Sequence, residues 1–382
     1  MDEFAWICLV FAGLATLLHF VSAGVAGYRV RRTLSTPSPF ARTHPSSLPP
    51  VSVLRPVRGL DPYDELTLRS GFELDYERYE LIFCCDDAED AVVPLIRRLI
   101  AEHPHVDARL LLGRDYLTSN PKLNNLIKGW RVARHPWVVM ADSNVLMPGD
   151  YLQQLLATWR TDTGLVCAPP IGCRAENFWA EVECGFLNTY QARWQFAADT
   201  IGFGFAQGKT MLWRRADLES ASGIAALGAE IAEDAAATKV VRGLGKRVRL
   251  VDGSFGQPLG MRTAAQMWSR QVRWAKLRRA TFPQYFLPEV LTGVVPPVLA
   301  LAFAAEVFDA PAGIAVTALV CAWYGAELLL ARAARWHIGL LSPLAWMVRD
   351  MLLPIMWAQA WLSNSFSWRG NDMRLADAVT SN

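Results

Sequence analysis

A chain of 382 residues that is 52% hydrophobic and only 19% charged, with a mean hydropathy of +0.16, departs from ordinary soluble domains, which carry about 25% charged residues. Disorder is excluded, because so much apolar side chain would be left in water. Lys and Arg number 38 against 36 Asp and Glu, a net charge of +2 that gives no bulk attraction for nucleic acid.

The apolar excess is concentrated rather than spread. Phe4 to Tyr28 is almost entirely apolar, with His19 as its main interruption, and roughly 20 apolar residues suffice to cross a bilayer. Asp2 and Glu3 precede this run, while Arg29, Arg31, Arg32 and Arg42 follow it. A cleaved signal peptide needs a basic leader and a shorter apolar core, so the expectation is an uncleaved anchor. The positive flank places the N-terminus outside and the following chain in the cytosol.

Ser35 to Pro50, rich in Ser and Pro, reads as a linker. Strand and helix signals then alternate. Val51–Leu54, Glu80–Cys85, Ala108–Leu112 and Trp137–Met140 are short apolar or β-branched runs, and Ala91–Ala101 and Lys122–Arg134 carry helical patterns. Such βαβ alternation predicts an α/β fold, Rossmann-like, with a mostly parallel sheet. Ligands of such sheets sit at the carboxyl ends of the strands. Farther on, Leu287–Phe308 is a candidate span interrupted by Pro288, Pro296 and Pro297, and Ala312–Ala331 is a second, followed by Arg332, Arg335 and His337. Leu340–Leu362 is apolar too but contains Arg349 and Asp350. A bare charge in lipid costs about 3 kcal/mol on insertion scales, so spanning, interfacial and re-entrant placements of that segment all stay open.

Seven Cys residues show no paired spacing, and reduced, buried thiols suit a cytosolic compartment. Cys84 and Cys85 lack a nearby His, and His103 and His105 lack a partner at ligand spacing, so zinc is not expected. Gly208-Lys209 invites a phosphate-loop reading, but its flanks do not follow that motif; a turn or a loop near an acceptor site fits better.

The informative polar groups stand where apolar strands stop. Asp86 and Asp87 follow one strand, and Asp142, Ser143 and Asn144 follow another. Each set alone is an ordinary helix cap. Together they deliver acids to one sheet edge, where a nucleotide and its cation bind: Asp87 toward a base or ribose, Asp142 with Asn144 toward Mg²⁺ or Mn²⁺ on a diphosphate. Glu233-Asp234 stands between apolar flanks; it either complements a helix N-terminus or supplies Asp234 as a general base. Arg262 to Arg279 contains no acid, and its Arg270, Arg273 and Trp274 fall on one helix face. A basic amphipathic helix before a membrane span also suits anionic lipid heads.

This ordered set resembles the inverting, processive-type GT-A glycosyltransferases and, more narrowly, the ceramide glucosyltransferase family in a bacterial-type member. The resemblance is carried by Val51-Ser-Val-Leu-Arg-Pro-Val-Arg-Gly59, Phe72-Glu-Leu-Asp75, Asn120-Pro-Lys-Leu-Asn-Asn-Leu126, Ile231-Ala-Glu-Asp234, Ser269-Arg-Gln-Val-Arg-Trp-Ala-Lys-Leu-Arg278 and Ser367-Trp-Arg369, over nearly the whole chain. It implies a GT-A fold, with Asp87 on the uridine side of the donor, Asp142 near metal and diphosphate, and Asp234 as catalytic base. It further implies that Arg270, Arg273 and Trp274 close over donor and acceptor and that Lys122 and Asn124 belong to the donor side. A second acid of the usual metal motif is replaced by Asn144, so the cation is expected on a reduced ligand set. The implied activity is transfer of a hexose, glucose foremost, from a UDP-sugar to the hydroxyl of a membrane lipid, ceramide foremost, with inversion to a β-glycoside.

Alternatives remain at this level. The acceptor is a hopanoid or diacylglycerol, with UDP-Glc, UDP-Gal or UDP-GlcNAc as donor, or the chain is a non-catalytic lipid-binding membrane protein. A polysaccharide synthase would need more spans, and no role in nucleic-acid binding is expected. The expected organisation is an anchor at 1–30, a linker at 31–50, a catalytic domain at 51–260, a basic interfacial helix at 261–284, membrane helices at 285–364 and a tail at 365–382. The protein is expected in a bilayer, the bacterial inner membrane, with its catalytic domain in the cytosol.

Overall fold

A computed structural model describes residues 1–35, 48–253, 255–368 and 371–374. Arg42, Arg369, most of the expected linker and the end of the expected tail lie outside the described residues. The chain forms two compact units: a helical one from Met1–Arg31, Arg174–Ala197 and Met261–Leu375, and an α/β one from Arg32–Cys173 and Ala198–Gly260.

The α/β unit is built on strands β1 (Val51–Pro56), β2 (Tyr79–Cys85), β3 (Asp107–Leu112), β4 (Trp137–Ala141), β5 (Thr163–Cys167), β7 (Thr210–Arg214) and β8 (Arg247–Leu250), in the order β3-β2-β1-β4-β7-β5-β8. Between them, β6 (Pro170–Ala175) pairs with β9 (Phe255–Gly260) as a separate ribbon. Pairing is parallel from β3 through β4 and between β5 and β8, whereas β7 runs antiparallel to both neighbours. Central strands of a sheet covered on both faces read as continuous apolar runs, and Val53, Leu81, Phe83, Val139 and Leu212 are fully buried in one core. The expected elements are all present, with ends shifted by a residue or two. The α/β class, with a mostly parallel sheet and helices at both ends of the chain, is the one the sequence points to.

The parallel registers align the carboxyl ends of β2, β1 and β4 along one edge. That edge carries Asp86–Asp87 after β2 and Asp142 after β4. With β1 between them, the two strands stand about 10 Å apart.

In the helical unit, Asp2–Ser35 is one long helix. Among the described residues two helices are long and apolar enough to cross a membrane, Asp2–Leu34 and Ala312–Ala333, and the pair Pro283–Leu291 and Val295–Val307, bent by 47°, makes a third if it counts as one span. The expected single run Leu287–Phe308 is thus broken: a 3₁₀ turn over Leu287–Leu291 precedes the helix Val295–Val307, as prolines without a donor N–H dictate. His19, the polar interruption of the first helix, is buried, stacks on Trp323 at 3.7 Å and has Nε2 3.1 Å from the Trp323 carbonyl.

The helix Ser342–Leu362 buries Arg349 and Asp350 and exposes Leu344, Met347, Met351 and Ile355. Its charges therefore face protein while its apolar stripe faces outward. Arg349 donates to both oxygens of Glu327 at 2.8 and 3.0 Å, to Asp350 at 2.9 Å and to Thr189 at 2.8 Å. The segment Arg174–Ala197, expected within the catalytic stretch, folds with these helices instead. Val182, Phe186 and Tyr190 share a core with Met267, Val272, Ala345, Leu353 and Met356.

Candidate active site

In the α/β unit the carboxylate of Asp142 is held between two ammonium groups. Its Oδ1 lies 2.6 Å from Lys122 Nζ and its Oδ2 2.9 Å from Lys209 Nζ. Lys122 opens the helix Pro121–Val132, whose N-cap Asn120 accepts from the Lys122 and Leu123 N–H groups. The same ammonium lies 2.5 Å from Glu233 Oε1 and donates to the Gly208 carbonyl at 2.8 Å. Asn120 in turn donates to Glu233 Oε2 and to the Ile231 carbonyl, both at 2.9 Å. The Asn-Pro-Lys string, the strand-end aspartate and the Glu-Asp pair thus form one network.

Asp234 follows at the start of the helix Glu233–Gly243. It accepts from the Gly208 N–H at 3.0 Å and from its neighbour Ala235 at 2.8 Å. Burial, and next the Glu233 carboxylate, push its pKa up to about 6 against the opposing pull of Lys122 and the two N–H groups. A carboxylate tuned near neutrality suits a general base. Burial would raise the pKa of Asp142 as well, but Lys122 and Lys209 outweigh it and hold this group well below the usual carboxylate range. Two neighbouring acids are thus set apart, one permanently ionised and one able to take a proton.

Gly208 is required by close approach. A Cβ there would stand 2.8 Å from Glu233 Oε1, 3.2 Å from Lys122 Nζ and 3.3 Å from Asp234 Oδ2.

The remaining expected residues fall as follows. Asn144 Oδ1 accepts from Lys209 Nζ at 3.1 Å, so Asn144 and Asp142 bracket one cationic atom. Asp87 is exposed at the end of β2, where its Oδ1 accepts from the Glu89 N–H at 2.9 Å. Asn124 is buried, and its side-chain amide binds the 117–118 loop by accepting from both N–H groups and donating to the Thr118 carbonyl. Arg270, Arg273 and Trp274 lie on the helix Ala264–Thr281 of the helical unit, all half-buried. Arg270 pairs with buried Glu183 at 2.6 Å. Arg278 pairs with Glu289 and Lys276 donates to Ser363, so much of this helix's charge is engaged within its own unit rather than offered to lipid heads.

Three residues carry site geometry without having been singled out for it. Arg55, wholly buried, donates to the carbonyls of Asp142, Ser143 and Val145 at 3.1, 2.9 and 3.0 Å and so fixes the turn that presents Asp142. Its position inside the quoted Val51–Gly59 stretch was the only signal. Lys209, read as part of a turn, is a partner of Asp142, and Asn120 locks the base helix to the lysine helix. Their partners are 65 to 113 residues away in the chain, beyond any local pattern.

A sheet edge lined by an ionised aspartate, two lysines and a near-neutral aspartate, in a chain with membrane-length helices, defines a membrane-associated α/β group-transfer enzyme. The sequence profile of glycosyl transferase family 21 matches residues 14–380, and the chain belongs to that family. It is therefore a sugar-transferring enzyme. It is 26% identical to ceramide glucosyltransferase 3 of Caenorhabditis elegans, over 97% of this chain and 81% of the relative. It is 40% identical to the ceramide glucosyltransferase of Komagataella phaffii over 105 residues, 26% of this chain and 21% of the relative. A solved mannosyltransferase of Pyrobaculum calidifontis, in complex with GDP-Man and Mn²⁺, aligns with 18% identity and a TM-score of 0.48 over 90% of this chain and 99% of that one.

Proposed function

We propose that this protein transfers glucose from UDP-glucose to the primary hydroxyl of ceramide, with inversion, giving a β-glucosyl lipid. The observation that carries the reading is the Lys122 bridge, which ties the diphosphate-side Asp142 to the Glu233-Asp234 pair within one network. The names of the relatives support the choice of sugar and acceptor.

In this reading the donor's uridine lies toward Asp87 at the end of β2, and Asn124 shapes the donor side through the 117–118 loop. Lys122 and Lys209 hold the diphosphate charge electrostatically. Asp142 and Asn144 are the residues that would hold a divalent cation, Mg²⁺ or Mn²⁺, in the place where their oxygens now bind Lys209 Nζ, which would then turn to the diphosphate. Two protein oxygens suit a cation that takes its other ligands from phosphate and water. When bound it would neutralise the leaving diphosphate. Asp234 removes the acceptor hydroxyl proton as that oxygen attacks the anomeric carbon, and UDP leaves from the opposite face. Arg270, Arg273 and Trp274 are donor residues in this reading. The catalytic unit faces the cytosol, and the spans bring the enzyme to its lipid.

The deciding experiment uses purified full-length protein with labelled UDP-sugars and a panel of ceramide, diacylglycerol and hopanoid acceptors. Labelled β-glucosylceramide is the expected product. A labelled glycosyl-diacylglycerol or glycosyl-hopanoid instead would replace the acceptor assignment. Asp234→Asn should lower transfer by at least about 10²-fold while UDP binding persists, and near-normal turnover would remove the base.

A further inference from the structure

In the helical unit the apolar helices pack side by side, and their contacts fix which ends share a level. Near the start of the first helix, Phe4 meets Phe303 with ring centroids 5.4 Å apart and Trp6 meets Phe308 at 5.0 Å. Farther along, His19 stacks on Trp323 at 3.7 Å, and a Cβ on Gly27 would stand 3.6 Å from Leu330 Cδ1. The first helix and Ala312–Ala333 are therefore parallel and finish at one level, while Val295–Val307 finishes beside the first helix's start. Charge follows these levels. Asp2, Glu3, Glu306 and Asp309 are exposed at one end, and Arg31, Arg332 and Arg335 are exposed at the other, with Tyr28 exposed beside them. Residues 3 to 31 of one continuous helix cover about 42 Å, the thickness of a bilayer counted through its headgroups. Both charged ends thus stand at headgroup depth.

The arginines of the basic end differ from the others of this unit. Arg270 and Arg278 are paired with Glu183 and Glu289, and the nearby His337 lies 2.7 Å from Glu181. Arg332 and Arg335 pair with no acid among the described residues. Arg335 is also held in an unusual conformation, with a φ of 55°. It closes the helix Ala312–Ala333: the Trp336 N–H donates to the Ala331 carbonyl at 2.9 Å and the Arg335 N–H to the Arg332 carbonyl at 3.2 Å. Glycine favours the left-handed position of such a close. Asp309 holds the same position after Val295–Val307, with a φ of 52°, and an aspartate tolerates it through local hydrogen bonds. Arginine has neither advantage, so a cation stands at Arg335 against the preference of the backbone.

We propose that Arg31, Arg332 and Arg335 form a collar that binds the phosphate groups of anionic phospholipids in the leaflet at that end of the helices. A guanidinium presents a planar fork of N–H donors that matches phosphate oxygens. Two of the helices that carry the collar are themselves apolar enough to span, so the lipid surface that supplies the phosphates is already alongside. Tyr28 suits the same depth, because its ring packs among chains while its hydroxyl stays with the headgroups. The acids of the opposite end repel the same lipids from the other leaflet, which gives the bundle one preferred side for anionic heads. The collar is a site for bulk membrane phospholipid and takes no part in the transfer reaction.

The test titrates full-length protein in neutral detergent micelles with fluorescent phosphatidylglycerol, and with fluorescent phosphatidylcholine for comparison. An arginine near an anionic surface is worth about fivefold in affinity. The wild type should therefore bind phosphatidylglycerol at least about fivefold more tightly than phosphatidylcholine, and added salt should erode the difference. Arg332→Gln combined with Arg335→Gln should remove most of it. Arg335→Gly is the sharper variant, because glycine relieves the left-handed position. It should raise the thermal midpoint, so folding is not at risk, while phosphatidylglycerol binding weakens about fivefold. Glu306→Gln, at the other end, should leave that affinity unchanged. Equal affinity of the wild type for the two lipids overturns the collar, and so does Arg335→Gly binding phosphatidylglycerol as wild type does. Displacement of the lipid by an equal concentration of soluble glycerol phosphate overturns the membrane as its source of phosphate.

Discussion

At the scale of single residues the decisive contrast is between Asp142 and Asp234. Both were legible as acids in telling positions, but only the fold explains why they behave differently. Asp142 sits between two ammonium groups, whereas Asp234 has Glu233 beside it and a pKa pushed up to about 6 by burial and that charge. A base must be ionised to take a proton, so kcat/KM should rise with pH through about 6 and then level; at pH 5 it should be about one tenth of the plateau. Glu233→Gln removes the neighbouring negative charge and should move that limb to lower pH. A limb unchanged in this variant would disconnect Glu233 from the base. The same shift bears on stability. A carboxyl whose folded pKa lies above its unfolded value holds its proton better when folded, so it weakens the fold as pH rises from about 4 to 6. Asp234→Asn removes that penalty and should unfold at neutral pH no earlier than wild type, which makes it a clean probe of chemistry.

At the scale of elements, the helix Ser342–Leu362 shows what pattern alone leaves open. An arginine and an aspartate in an apolar run are compatible with several placements. The structure turns both inward, where Arg349 meets Glu327 of the helix Ala312–Ala333 and Thr189 of the segment Arg174–Ala197. A buried ion pair contributes little net stability over apolar packing, but breaking it leaves uncompensated charge. Arg349→Met should therefore destabilise the folded protein by roughly 3–5 kcal/mol, seen as a lower thermal midpoint. Adding Glu327→Gln should restore part of the loss by removing one stranded carboxylate. A single variant as stable as wild type would show that these charges hold nothing together. The basic helix Ala264–Thr281 makes a related point. Its sequence suits lipid headgroups, yet Glu183 and Glu289, distant in the chain or outside the helix, engage Arg270 and Arg278.

For the molecule as a whole, membrane attachment follows from composition. The first helix exposes Phe4, Trp6, Ile7, Val10, Leu14, Leu17 and Val21, more contiguous apolar surface than water tolerates. The protein should stay in the membrane pellet after alkaline carbonate extraction and be released by detergent; release by carbonate alone would show peripheral attachment. Length, hydropathy and the alternation of strand and helix were enough to specify the apolar helices, the α/β class and the strand ends where acids collect. These depend on local periodicity and on the burial of apolar runs, both written in neighbouring residues. The antiparallel insertion of β7, the folding of Arg174–Ala197 with the helical unit, the Lys122–Asp142–Glu233 network and the prop of Arg55 were decided by tertiary structure alone. Each depends on partners far apart in the chain, or on a polar group's surroundings after burial. Neither has a local signature, because the free energy of a buried charge or amide is set by what packs against it.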